Sequence, residues 1–442
     1  MRLRTLGPWM ATALVVGNMV GSGVLLLPAS LGPLGWNAAL GWGVTCIGGM
    51  ALAWVFALLA RARPEAGGPY AYTQAAFGKR PAYLVAWSYW VNLWVGNAGV
   101  AVAPAAYLAV FWPAIGRNPK LSTAITVGVV WLATLINLRG AFAAGRAQLW
   151  TTILKIVPLV AVCLIAAVIL ARHGTALLPP IHRADLSWSG VSSAATLTLW
   201  ALLGLESATI PAGKVRDAAR TIPRATLIGT GLAAAIGAIV TLSVLLLLPP
   251  GRAAASPAPF AEFVALWVGA DVGELVAGVA ILASFGALIG WILLQGELPA
   301  AMAHGGVFPR ALGRLDARGT PVTAHLVAST LLSVVVILSG RGGTTALFTF
   351  LAQVAVLASL VTYLTCALAA LRLRVARGGT VGVALVAVGY CAWALLGADG
   401  QALLWFAGLM GAGWPIYAFT RWRARIDATS LARATAPAAP RG

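Results

Sequence analysis

The stretch GNMVGSGVLLLP, Gly17 to Pro28, lies inside the first apolar run of the chain and decides how the rest is read. In hydrocarbon every backbone N–H and C=O needs a partner within the protein, so a spanning helix is expected to be continuous and apolar. Here Asn18, Ser22 and glycines 17, 21 and 23 stand near its middle. Glycine weakens a helix, and buried polar groups without partners are costly. The pattern predicts a helix that breaks in mid-membrane and whose broken ends are compensated by something else.

The rest of the chain supplies the membrane context. Of 442 residues, 60% are hydrophobic and 9% charged, with a mean hydropathy of +0.89, far from the composition of an ordinary soluble domain. Apolar runs of about 20 residues, enough to cross roughly 30 Å of hydrocarbon, recur from end to end. Twelve are predicted, at about 8–30, 36–60, 82–111, 121–138, 147–171, 191–212, 225–249, 272–294, 322–339, 344–371, 380–397 and 401–420. The fold class is therefore an all-α polytopic membrane protein with twelve transmembrane helices. No stretch between the runs is long enough for a soluble domain, so residues 1–425 form one transmembrane domain. The tail, 426–442, rich in Ala, Arg and Pro, is expected to be disordered. The basic start followed by an apolar run resembles a signal peptide, but the run is too long and continues into the polar break, which predicts a retained first helix.

A net charge of +19 raises the question of nucleic acid, and the distribution of cations answers it. With the N-terminus inside and twelve spans, 23 of the 30 Lys/Arg fall in cytoplasmic segments and six in external ones, and Lys155 falls inside a span. The positive-inside rule thus predicts both termini in the cytoplasm, and no nucleic-acid partner. Expected partners are the lipid bilayer and, for a homodimer, a second copy of the chain. Cys46, Cys163, Cys366 and Cys391 all lie in apolar runs without metal spacing and are read as packing residues. No metal or other cofactor is expected.

A second run is also interrupted. In LWALLGLESATIPAG, Leu199 to Gly213, residues Gly204, Glu206 and Ser207 break the apolar pattern of the sixth span. Five helices separate the start of span 1 from the start of span 6, and an odd number reverses orientation in the membrane. That spacing is the one expected of a 5+5 inverted repeat, about 8–171 and about 191–371, each opening with a discontinuous helix, with two extra helices at about 380–420. Broken helices expose N–H groups that suit a carboxylate and carbonyls that suit an ammonium. An amino acid carries both. The competing reading is that the glycines only let helices pack closely.

At this point the residues resemble a known family. GNMVGSGVLLLPASLGPLGW, PEAGGPYAYTQAAFG, LTLWALLGLESATIPAGKVRDAARTIPRAT and LIGWILLQGELPAAMAHGGVFP are similar to segments of the amino acid/polyamine/organocation (APC) superfamily, most nearly those of its bacterial arginine:agmatine antiporter branch. The resemblance runs over nearly the whole chain and implies the leucine-transporter-like architecture with discontinuous helices 1 and 6. It implies a substrate carboxylate at Ser22 and at the backbone N–H groups around Gly21 and Gly23. The substrate ammonium would meet carbonyls at Met19, Trp200 and Leu203. The side-chain pocket would use Trp291, Asn97 and the backbone around Asn92 and Leu93. Tyr89 and Trp200 match aromatic residues that close over substrate, and Glu206 matches a glutamate implicated in proton sensing.

Two ionisable residues stand out. Of eleven acids, Glu206 is the one near mid-membrane, where an ionisable group is a functional candidate; the alternative is a structural acid between helices. Lys155, in RAQLWTTILKIVPL, departs from the arginine:agmatine branch and resembles branches in which a lysine takes the place of sodium beside the broken first helix. It either takes part in proton coupling or snorkels to the interface. Span 8 offers a lone Ser284 where sodium coupling needs neighbouring oxygen ligands. Neither an enzyme nor a channel is expected: His173, His182, His304 and His325 are scattered, no nucleophile and base are spaced for catalysis, and no filter repeats. The sequence thus predicts a secondary amino acid transporter or antiporter with an arginine-like substrate, the alternative being a proton-coupled permease for other amino acids.

Overall fold

A computed structural model of the chain describes residues 7–64, 67–140, 154–209, 212, 215–340 and 343–434. Arg146, Lys214, the first seven residues expected for the fifth span (147–153), the last residues of the tail and the side chain of Ser22 lie outside the described residues.

The first apolar run forms two helices, α1 (Pro8–Met19) and α2 (Ser22–Leu31), separated at Val20 and Gly21. They are followed by α3 (Asn37–Ala62), α4 (Gly68–Phe77), α5 (Lys79–Leu108), α6 (Pro119–Leu138), α7 (Ile156–His173) and α8 (Trp188–Leu199). The remainder comprises α9 (Ala218–Leu247), α10 (Pro259–Trp267), α11 (Ala270–His304), α12 (Val322–Ser339), α13 (Gly343–Arg372), α14 (Gly379–Leu396) and α15 (Gly400–Ala434).

Among the described residues, eleven helical segments are long and apolar enough to cross a membrane, α1 through α2 counting as one. The expected sixth span makes the difference from twelve. Its helix α8 has only 12 residues before it passes into a 3-10 turn at Trp200–Leu202. Other boundaries also differ from the apolar runs. Helix α9 begins at Ala218, ahead of Arg220 and Arg224, and α11 continues through Glu297 to His304. Hydropathy marks the stretch suited to hydrocarbon, whereas a hydrogen-bonded helix can run on through polar residues beyond it. The tail likewise stays helical past Arg425 to Ala434.

Helix α5 is the hub. Its apolar stretch is 94% buried, against 28% for that of α14 and 11% for that of Gly400–Arg423, so the last two helices are peripheral. A helix buried on every side can carry functional side chains around its whole circumference. Helix α5 packs along α13 and α11, while α1, α3, α8 and α9 pack into a second group.

Asn37, at the start of α3, fixes the approach to α8. Its Nδ2 donates to the carbonyls of Leu34 (3.0 Å) and Asp185 (2.8 Å), and its Oδ1 accepts from the Ser187 N–H (3.0 Å). Ser187 in turn caps α8 by accepting from the Gly190 N–H at 3.0 Å, satisfying one of the donors orphaned at a helix start. Asn37→Ala removes three hydrogen bonds of this clasp and is expected to destabilise the detergent-solubilised protein by about 1–3 kcal/mol. A thermal unfolding midpoint equal to that of the unaltered protein contradicts the clasp.

Candidate functional site

The two interruptions meet. At the first, the Gly21 N–H, which would close on Gly17 in a continuous helix, turns to the Met19 carbonyl at 2.9 Å, and α2 starts afresh at Ser22 with no side-chain cap. At the second, Leu203 is extended and Gly204 takes φ +102°, a left-handed conformation that a side chain disfavours. The chain then turns, with Ser207 N–H donating to the Gly204 carbonyl (2.9 Å) and Thr209 N–H to that of Glu206 (2.8 Å). A side-chain bond ties one break to the other: Asn18 Nδ2 donates to Ser207 Oγ at 2.9 Å.

A cavity of about 40 Å³ opens beside this junction, room for a few water-sized spheres. Met19, Gly21, Gly23, Asn92, Leu93, Asn97, Trp200, Leu203 and Trp291 all line it, so every expected substrate-binding residue except Ser22, whose side chain lies outside the described residues, is brought together there. Asn18, Val24, Gly96, Val100 and Ala201 line it as well and were not anticipated. Trp200 explains why position 23 is glycine: any Cβ there would run into the indole. The same ring lies edge-on to Phe348, at 5.8 Å between centroids and 89° between planes. The Trp291 ring edge abuts the Gly204 turn. Thus α1, α2 and the α8 turn supply backbone ends, and α5 and α11 supply Asn92, Asn97 and Trp291.

Glu206 lies away from this lining, 1% exposed. Its Oε1 accepts from the Tyr89 hydroxyl (2.8 Å) and its Oε2 from the Tyr363 hydroxyl (2.7 Å). Tyr89, expected to close over the cavity, is absent from its lining and instead links α5 to the second break. A carboxylate accepts from both phenols at once; a carboxylic acid must donate through one oxygen, so protonation disturbs at least one of these bonds. Tyr363, on α13, was missed because one tyrosine in an apolar run carries no pattern.

Lys155 does not snorkel to an exposed position. It is 8% exposed, and its Nζ donates at 3.1 Å to the carbonyl of Gly17, the group that the break in the first span deprives of the Gly21 N–H. A second polar line leaves the cavity through Asn97, whose Nδ2 donates to Gln295 Oε1 at 2.6 Å. Gln295 stands in the stretch LIGWILLQGELPAAMAHGGVFP, four residues after Trp291, so the signal was visible although its partner was not.

Comparison with known proteins identifies the family. The family model described as amino acid permease matches residues 6–419. The cadaverine/lysine antiporter of Escherichia coli K12 is 32% identical over 374 residues, covering 81% of this chain and 82% of its own length. The putative arginine/ornithine antiporter of Bacillus subtilis is 32% identical over 424 residues, covering 88% and 90%. The putrescine transporter of Escherichia coli K12 is 29% identical over 422 residues, covering 92% and 94%. The chain belongs to the amino acid permease family and is a multi-pass membrane transporter of the antiporter branch of the APC superfamily.

Proposed function

We propose that the protein is an amino acid–amine antiporter that works by alternating access, exchanging a cationic amino acid for its decarboxylated amine across the bacterial cytoplasmic membrane. The observation that carries this reading is the cavity between two broken helices, with helix-end N–H groups and carbonyls on one side and Asn97 and Trp291 on the other. The N-terminus of α2 suits a carboxylate, the carbonyls near Met19 and Leu203 suit an ammonium, and the Trp291 face suits a cation or an aliphatic stem. An arginine-like substrate with agmatine as its exchange partner is the narrower form of the reading. Relatives named for lysine with cadaverine, for arginine with ornithine and for putrescine support the wider class of basic amino acids and their amines.

Trp200 and Trp291 line the cavity and are placed to contact whatever substrate enters it. The packing supports a five-plus-five repeat, and the distribution of Lys and Arg supports both termini cytoplasmic. The contact of α3 with α8 has its counterpart in that of α9 with α1, and the contact of α5 with α6 in that of α11 with α12. A second reading, proton-coupled uptake of other amino acids, is favoured by Lys155 at the broken end of α1.

The reading is tested with purified protein in vesicles preloaded with amine and supplied with labelled arginine, lysine or ornithine. Saturable exchange that requires substrate on both sides is expected; current without trans substrate points to a channel. Trp291→Ala is expected to raise the half-saturation concentration by about tenfold through loss of the ring face. Ser22→Lys, which fills the carboxylate end, is expected to abolish exchange, and normal transport by both variants removes the site assignment.

Because protonation of Glu206 disturbs its bonds to Tyr89 and Tyr363, Glu206→Gln is expected to flatten the pH profile of exchange while folded protein is retained. A profile that keeps its shape rules out the proton-sensing role. Lys155→Ala leaves the Gly17 carbonyl unpaired and is expected to slow exchange by about tenfold, an effect of the size of one lost charge-assisted bond. Exchange at the unaltered rate leaves Lys155 a packing role only.

A further inference from the structure

Behind the cavity runs a chain of buried side chains that neither helix break requires. Asn97 Nδ2 donates to Gln295 Oε1 (2.6 Å), Gln295 Nε2 donates to Ser329 Oγ (3.0 Å), and Ser329 Oγ meets Thr134 Oγ1 (2.8 Å). Thr134 Oγ1 donates to the Val130 carbonyl at 2.8 Å. Asn97 is 1% exposed and Gln295, Ser329 and Thr134 are fully buried, so the chain crosses from α5 through α11 and α12 to α6 without meeting solvent. The Trp90 indole N–H adds a bond to the Gln295 backbone carbonyl at 3.2 Å and holds that point of α11 against α5.

The chain has a direction. The Val130 carbonyl can only accept, and with the Thr134 proton given to it the Thr134 oxygen is free to accept from Ser329, the arrangement that keeps both bonds. Ser329 has one proton; having given it to Thr134, it can only accept from Gln295, which must then present its NH2 group to Ser329. That turns the Gln295 carbonyl toward Asn97, and Asn97 meets it with its own NH2 group. The half of the Asn97 amide left over is its carbonyl oxygen. Reversing the chain forfeits the bond from Thr134 to Val130 and inverts three groups together.

We propose that Gln295, backed by Ser329 and Thr134, is a positioning residue that commits the Asn97 amide to offering an acceptor to the cavity. The side-chain end of the pocket then selects substrates ending in an N–H-rich cation over neutral side chains of equal length. This rests on the amino-acid pocket proposed above and deepens it: the backbone ends recognise what all amino acids share, and the oriented amide recognises the basic side chain. An amide free to rotate would offer either end and discriminate poorly, because a buried donor facing a cation is left unpaired.

The test compares lysine with norleucine, which has the same carbon chain without the ammonium, as competitors of labelled exchange in vesicles containing the full-length protein. Gln295→Met keeps length and volume while removing both side-chain bonds. It is expected to raise the half-saturation for lysine by about tenfold and to change that for norleucine by less than about twofold, the size of one charge-assisted hydrogen bond. Gln295→Glu can still accept from Asn97 and is expected to keep the lysine preference. Ser329→Ala is expected to shift the ratio in the same direction by a smaller factor, and it carries the test if Gln295→Met does not fold. A Gln295→Met protein in which both competitors weaken equally, or in which the ratio stays that of the unaltered protein, overturns the positioning role. If the unaltered protein itself does not prefer lysine to norleucine, the functional reading fails and this one with it, an outcome that differs from an unmoved ratio in the variant.

Discussion

The constraint on which the structure depends is that a helix broken in hydrocarbon must find partners for the backbone groups it frees. The protein meets it with local backbone turns at each break and with side chains that brace the breaks from other elements. The Gly17 carbonyl receives the ammonium of Lys155, and Asn18 reaches Ser207 across the junction of the two breaks. Each bond joins segments far apart in sequence, so the breaks are held by tertiary structure and would not persist in an isolated helix. The N-terminus of α2 has no side-chain cap, and it faces the cavity through Gly21 and Gly23. What is satisfied internally is scaffold, and what is left uncapped is the candidate recognition surface.

Helix α5 turns this local solution into one site. Because it is buried on nearly every side, successive residues serve different neighbours. Tyr89 reaches Glu206, Trp90 reaches the Gln295 backbone, Asn92 and Leu93 line the cavity, and Asn97 both lines it and bonds Gln295. Glu206, two residues beyond Gly204 at the second break, is held by phenols from α5 and α13. The second break is therefore connected to the helices around the cavity by a group whose hydrogen bonding changes with protonation. Moving the break relative to α5 and α13 strains those two bonds, and changing the protonation of Glu206 alters what holds the break in place.

The sequence made some of this legible. Glycines and polar residues in the middle of apolar runs located both breaks, because hydrocarbon tolerates such residues only where something compensates. The family resemblance, rather than the pattern itself, supplied the cavity residues near those breaks, including Trp200 and Trp291. What the sequence hid was pairing. Asn18 and Ser207 are 189 residues apart, and Glu206 and Tyr363 are 157 apart; neither pair has a spacing rule. Gln295, Ser329 and Thr134 each look like one tolerated polar residue in an apolar helix, and only their convergence turns them into a directed chain. Tyr89 was assigned to the cavity by resemblance, and its position one turn from Asn92 and Leu93 is close enough for that reading, yet its hydroxyl is engaged by Glu206. The sixth span escaped a count by helix length for the same reason that makes it interesting: its break leaves a piece too short to cross a membrane by itself.

On the proposed reading, the division of labour in the cavity also bears on how two unlike substrates share it. A decarboxylated amine has lost the group that suits the α2 N-terminus but keeps the ends that suit the carbonyls near Met19 and Leu203 and the Asn97 and Trp291 side. The shared contacts let both partners bind, and the unshared one lets the protein distinguish them. Without its carboxylate the amine carries one more net positive charge than its parent amino acid, so one-for-one exchange moves charge across the membrane and responds to its potential, at about 2.3 kcal/mol per charge per 100 mV. The buried Lys155 ammonium at the far side of the first break makes the same distinction electrostatically, because any repulsion it exerts falls more heavily on the amine than on the amino acid, whose carboxylate offsets it.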